Sequence, residues 1–253
     1  MVTIKNAEEI KILKISGKKL ALVMKALIKE AKPGITAEDL DKLANKLILN
    51  YGGKPSFLNY KPDFSSRPFP KTLCVSLNEV IVHGVPSKEM VLKKNDMVSL
   101  DLGMEYQGLF TDMAATFYLG FPPPLYKKMI QTTKKALLLA AEKAKEGNTL
   151  GDIGYVIESC AKKNGFAVIK DLVGHGVGYA PHEDPIVSNC GKPGSGLELK
   201  AGMVLAIEPM LTILNGAIKE NSDASFSTLN GKVSCHFEHT VVVGKSKGII
   251  VTS

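Results

Sequence analysis

No tryptophan occurs among the 253 residues, and Arg67 is the only arginine. The formal net charge of +7 therefore comes from lysines spread through helical stretches, with no cluster of guanidinium forks to read phosphates or base edges. A specific nucleic-acid partner is not expected. Cysteine is scarce too: Cys74, Cys160, Cys190 and Cys235 stand far apart, with no CxxC pair. That spacing excludes a thiolate zinc site and a disulfide framework, and with no signal peptide in front it fits a reduced, cytoplasmic chain. Long apolar runs are also missing. "ALLLAA" at 136–141 falls well short of a membrane span, so no membrane role is expected. What is present is 45% hydrophobic residues, enough for a substantial core in one domain spanning 1–253.

Helical periodicity is clear at the start. Ile10, Leu13, Leu20, Met24, Leu27 and Ala31 share one stripe over 7–31, and Asn6 with Glu9 forms a capping-box pattern. Pro33-Gly34 ends that helix, and Thr36 with Asp39 caps a second one running to about Asn50. A loop rich in proline, serine and aromatics follows. "TLCVSLNEVIVHGVP" and "DMVSLDLGMEYQGLFTDMAATFYLG" then read as strands and a hairpin. The plan recurs after Pro122 to Pro124, which open a long helix to about Glu146. "KEGNTLGDI" at 145–153 echoes "KPGITAEDL" at 32–40, "HGV" at 83–85 returns at 175–177, and "KNDMVSLD" finds a partner in "KAGMVLAIE". Recurrence in one order implies an internal duplication, with α+β halves of about 1–120 and 121–253 and a site between them.

Acids interrupt the apolar strands. In "MVSLDLG", Asp101 points away from the face shared by Val98, Leu100 and Leu102. A turn centred on Tyr106-Gln107 sets Asp101 directly opposite Asp112, with Cβ atoms about 4.5 to 5.5 Å apart. Two carboxylates so placed repel, and a shared proton, a lysine or a cation must offset the repulsion. Glu208 closes the apolar run "GMVLAIEPM" and Glu238 opens "FEHTVVVG"; acids in such sequence are costly to bury unless paired or coordinated. All five histidines, His83, His175, His182, His236 and His239, lie in these glycine- or acid-bearing segments, and none on a long helix. Asp101, Asp112, His175, Glu208 and Glu238 together are too acidic for a structural zinc and too many for one catalytic zinc. The set suits two divalent cations bridged by carboxylates and a water or hydroxide. His83 and His182 remain as imidazoles suited to proton transfer or to hydrogen-bonding a reacting carbonyl.

The motifs "SLNEVIVHGVP", "DLGMEYQGLFTDMAATF", "VGHGVGYAPHEDP", "GMVLAIEPM" and "HFEHTVVV", in this order over essentially the whole chain, resemble the type I methionine aminopeptidases, the pita-bread metallopeptidases of family M24. The resemblance implies an α+β fold of two pseudo-symmetric halves with an antiparallel sheet and a dinuclear site between them. It implies that Asp112 and Glu238 bridge two divalent ions (Co, Mn, Fe or Zn), that Asp101 holds one, and that His175 with Glu208 holds the other. His83 would contact the substrate's amino-terminal region and help move protons, His182 would hydrogen-bond the substrate and stabilise the tetrahedral intermediate, and Glu208 would accept the proton of the metal-bound water. Tyr60, Phe69 and Cys74 match the methionine pocket.

The implied reaction is removal of initiator methionine from nascent polypeptides with a small second residue, by attack of a metal-bridging water or hydroxide. The implied protein is a cytoplasmic monomer working on nascent chains, with the ribosome as a place to meet them. Three features depart from the family: Pro181 stands where an aromatic is common, a tryptophan is replaced around Ala224, and the 61–68 segment looks inserted. The competing readings are a proline-specific peptidase of the same fold and a non-catalytic binding relative.

Overall fold

The computed structural model describes residues 2–61 and 67–253. Its first half runs α1 (Ala7–Glu30), α2 (Ala37–Asn50), β1 (Lys54–Pro55), β2 (Cys74–Leu77), β3 (Val80–Val82), β4 (Met97–Tyr106) and β5 (Leu109–Tyr118). The second runs α3 (Pro124–Lys143), α4 (Leu150–Lys163), β6 (Ala167–Val168), β7 (Gly174–Gly176), β8 (Glu183–Val187), β9 (Val204–Ile207) and β10 (Met210–Thr212). It continues with β11 (Ile218–Glu220), β12 (Phe226–Thr228), β13 (Ser234–His236), β14 (Glu238–Val242) and β15 (Ile249–Ile250).

The helix starts follow from their caps. Asn6 accepts from the amides of Glu8 and Glu9 while Glu9 returns a bond to the Asn6 amide, and Thr36 with Asp39 and Thr149 with Asp152 form the same reciprocal box. The two echoing sequence segments are also alike in their bonding. Gly34, at φ +97°, donates to Leu92 O at 2.8 Å, and Leu92 donates back to Ile35 O at 2.9 Å. Gly147, at φ +81°, donates to Leu199 O at 3.1 Å, and Leu199 donates back to Asn148 O at 2.7 Å. Each turn thus ties the capped helix that follows it, α2 or α4, to the segment leading into the central strand of its half.

Among the described residues the main sheet runs β1-β4-β5-β14-β9-β7-β8, with β2 also on β4 and β15 also on β14, all antiparallel. Alternation along the strands sends one set of side chains to the helices. Leu100, Leu102 and Met104 join Leu20, Leu27, Leu40 and Ile48 of α1 and α2, while Leu205, Ile207 and Val241 join Leu137, Ile153 and Ile157 of α3 and α4. Burying one such side chain contributes about 1.5 to 3 kcal/mol. The opposite face carries the acids. This helix-backed antiparallel sheet of two similar halves is the pita-bread fold expected from the motifs.

The β4–β5 hairpin corrects one expectation. Its turn is centred on Gln107-Gly108, at φ +53° and +80°, and Tyr106 pairs with Leu109. Two left-handed residues match the twist of the strands they join, and glycine at the second position suits such a turn. Asp101 therefore faces Ala114 and Asp112 faces Gly103. The acids are diagonal neighbours on one face, not direct partners. The glycine-rich 174–185 stretch is non-helical, as its composition requires, and contains β7 and the start of β8. No helix among the described residues is long and apolar enough to cross a membrane.

Candidate metal centre

Strand order and register arrange the five candidate ligands. β4, β5, β14, β9 and β7 are successive neighbours, and they supply Asp101, Asp112, Glu238, Glu208 just past the end of β9, and His175. Ala114 pairs with Asp101 on one side and with Glu238 on the other, so these three form one cross-strand row. The next row on the same face passes from Gly103 to Asp112 and reaches Ala206 opposite both Thr240 and His175. Ala114 and Ala206 put small side chains in these rows, and Ser56 and Phe57 pack over Gly103. One oxygen each of Asp112 and Glu238 and one nitrogen of His175 lie within 4.8 Å of one another.

Electrostatics in this cluster are unfavourable without a cation. Asp101, Asp112, Glu208 and Glu238 are 9%, 4%, 9% and 2% exposed. Burial first, then the charges of Asp112 and Glu208, pushes the Asp101 carboxyl well above its usual range. Burial and then Glu208 raises Asp112 to about 7. Burial raises Glu208 to about 7 against a lowering by His175, and burial followed by the other three acids pushes Glu238 well up. Among the described residues no lysine or arginine lies within ion-pair distance of this group; the nearest basic side chains are imidazoles, His175 Nε2 at 3.7 Å and His236 Nε2 at 3.2 Å, both on Glu208, and burial lowers His236 to about 3. Asp101 Oδ1 and Glu238 Oε1 are buried with no hydrogen-bond partner. Orphaned buried acceptors beside crowded carboxyls are what a bound cation would satisfy, and His175 is prepared for one. Its Nδ1 hydrogen-bonds Gly176 O at 2.8 Å, which as a donor leaves the Nε2 lone pair available to a metal. The donor set fits divalent ions.

The other candidates gather at one side. The His182 ring lies 4.3 Å from that of His175 and stacks on Tyr60 at 5.3 Å and 18° between planes. Burial, then His175 and His83, lowers His182 to about 2. Burial, then His236, lowers His83 to about 4. His83 sits at φ +60° past the end of β3, and its ring meets Phe226 edge-on at 6.0 Å. Phe69 donates its amide to Tyr60 O and accepts from Asn59 N, both at 2.8 Å, which ties Phe69 to the backbone beside Tyr60. Cys74 pairs with Asp101 and extends the upper row of the sheet; burial, then Asp101, Asp112 and Glu238, pushes its thiol well up. Of the 61–68 segment, 62–66 lie outside the described residues. Pro181 is buried, and Ala224 occupies a left-handed position, φ +68°, in the turn from β11 to β12.

Three neighbours of the ligands escaped the sequence reading. His236, counted there but given no task, touches Glu208 without the alignment of a hydrogen bond. Thr240 exchanges two hydrogen bonds with the Asp112 backbone, and Asn189 Nδ2 donates to Glu208 O at 3.0 Å. Only the "CHFEHT" run, a histidine two residues before Glu238, offered a sequence signal.

The description of metallopeptidase family M24 matches residues 11–245. This chain belongs to that family. It is 40% identical over 244 residues to the methionine aminopeptidase of Clostridium acetobutylicum, covering 96% of this chain and 95% of the relative. It is 40% identical over 252 residues to that of Aquifex aeolicus, covering 98% and 97%. The crystal structure of methionine aminopeptidase from Thermotoga maritima superposes with a TM-score of 0.93 at 37% identity, covering both chains completely. A prolidase from Pyrococcus furiosus shares the fold at a TM-score of 0.77 and 23% identity, and this chain spans 65% of it.

Proposed function

We propose that this M24 metallopeptidase removes amino-terminal methionine from polypeptides whose second residue is small, with two divalent ions held by Asp101, Asp112, His175, Glu208 and Glu238. The observation that carries the reading is the acid face: four buried carboxyls and one prepared imidazole on or just past the ends of five adjoining strands, in a chain similar over its full length to methionine aminopeptidases. Divalent ions would supply the Lewis acidity that polarises a carbonyl and makes water nucleophilic near neutral pH.

The chain's own groups have distinct tasks. Glu208, a carboxylate of the proposed ligand set beside His175, is the group assigned to accept a proton. His182 and His83, lowered to about 2 and 4, are neutral there. A neutral imidazole N–H donates to a developing oxyanion and keeps that hydrogen bond as charge builds. In this reading His182 holds the reacting carbonyl and His83 the amino-terminal region of the substrate. Tyr60, Phe69 and Cys74 form the wall for the methionine side chain, with Phe226 near His83 as a further aromatic where the family tryptophan is missing. The whole chain acts as one catalytic unit, in the cytoplasm, as a monomer, on nascent polypeptides that include those still at the ribosome. Co, Mn, Fe and Zn all suit an oxygen-rich set with one nitrogen.

A peptide panel tests the specificity. Met-Ala and Met-Gly peptides should be cleaved at least roughly tenfold faster than peptides with Leu or Val first, a pocket discrimination of the usual size. Faster cleavage of Xaa-Pro peptides would instead assign the chain to the proline-specific peptidases.

A further inference from the structure

Ahead of α1 lies a buried ion pair that the chemistry above leaves unused. Lys5 is 3% exposed, and its ammonium donates to Glu183 Oε2 at 2.8 Å and to Thr3 Oγ1. The Thr3 hydroxyl donates to the same carboxylate oxygen at 2.5 Å. The other oxygen, Oε1, accepts from the amides of Tyr179 and of Ala180, the latter at 3.0 Å. One carboxylate thus joins the amino-terminal strap to the loop between β7 and β8. Burial works to raise this carboxyl, but Lys5, Thr3 and the Ala180 amide outweigh it and hold it below its usual value.

Further contacts keep the strap in place. The Lys5 amide donates to Gly202 O at 2.8 Å, the Lys5 ammonium sits 4.6 Å from the centre of the Tyr179 ring, and the Tyr179 hydroxyl donates to Glu9 Oε1 at 2.8 Å. The Lys5 stem passes directly over Gly178, where a Cβ would stand 2.3 Å from Lys5 Cε and φ is +142°. A buried pair of this kind is seldom more stable than apolar side chains of the same volume, so its value lies in the geometry it fixes. His182 is the residue immediately before Glu183, and its ring contacts those of Tyr60 and His175. With both Glu183 oxygens fixed, the backbone that projects His182 is fixed as well.

We propose that Lys5 and Glu183 are positioning residues for His182, which makes the amino-terminal strap part of the active-site framework. This rests on the reading of His182 as the imidazole that holds the substrate carbonyl. A strap displaced from the loop leaves the metal ligands untouched but lets His182 drift, and misplacement by about 1 Å can cost on the order of 10²-fold in rate.

The test is a double-mutant cycle in the full-length, metal-loaded enzyme. Lys5→Met, and the pair Lys5→Met with Glu183→Gln that removes both buried charges, are each made in the wild-type and His182→Ala backgrounds. kcat and KM on a Met-Ala peptide, bound metal and melting temperature are measured for all. The expected result is a roughly 10- to 100-fold loss of kcat in the wild-type background, unchanged metal content, and less than about a twofold further loss once His182 is gone. Equal losses in both backgrounds, or no loss in the wild type, would overturn the positioning role alone. Wild-type turnover in His182→Ala by itself would remove the reading of His182, and the positioning role with it. The charge-free pair keeps the test decisive if Lys5→Met, with its stranded carboxylate, does not fold.

Discussion

Thr240 and Asp112 exchange two hydrogen bonds across the seam between the halves: Thr240 Oγ1 accepts from Asp112 N and donates to Asp112 O, each at 2.8 Å. β5 and β14 pair through backbone at Glu238–Ala114 and His239–Met113, and at the next step this hydroxyl takes over. Asp112 and Glu238, two acids of the proposed ligand set, are thereby held at a fixed separation on different halves of the chain.

Thr240→Val keeps the shape of that side chain and removes both bonds. It leaves a buried Asp112 amide without a partner, so the expected loss is about 2 to 3 kcal/mol of stability. Metal affinity should fall together with it. Denaturant unfolding and metal titration check this; an unchanged midpoint and unchanged affinity would show that the seam is held elsewhere.

His182→Ala should keep its metal and lose most of its turnover, by the roughly 10² to 10⁴ expected of a positioned group acting on the reacting carbonyl. The ring contacts Tyr60 and His175 but stands outside the carboxylate set. Elemental analysis beside steady-state rates separates the two effects, and a metal-depleted variant would make His182 a ligand instead.

The metal-free protein should lose stability as pH rises from about 7 to about 8. Asp112 and Glu208 are raised to about 7, and Asp101 and Glu238 well above their ordinary values, in the folded state. Carboxyls with raised folded values stabilise the fold while protonated, and that contribution disappears as pH climbs through those values. The lowered histidines, His83, His182, His236 and His239, act oppositely, but that effect is half spent at about 6.5 and fades above about 7, as their unfolded forms stop taking up protons. Above it the acids dominate, with a slope of about 1.4 kcal/mol per pH unit for each proton still bound in the fold. Metal-loaded protein should show no such decline. Melting curves with and without chelator decide it; a rising metal-free curve over that window contradicts the account.

Much of this was legible in the sequence because the signals were local. Asn6/Glu9, Thr36/Asp39 and the alternation around Asp101 need only near neighbours, and the structure keeps all three. The hairpin shows where locality ends. A turn centred one residue too early changed the partner of Asp101 from Ala114 to Asp112, yet it kept both acids on the same face, because a pairing shift of two residues preserves facing while one residue reverses it. Contacts made by distant segments left no trace in the pattern. Tyr60 under His182, His236 beside Glu208 and Lys5 on Glu183 join residues brought together only by the sheet order and the strap.

The most direct measurement is release of methionine from a Met-Ala peptide by enzyme stripped with chelator and then titrated with Mn, Co, Fe or Zn. The account predicts negligible release from stripped enzyme and restoration by at least one of these ions as the acid cluster fills. Equal release with and without metal would contradict it.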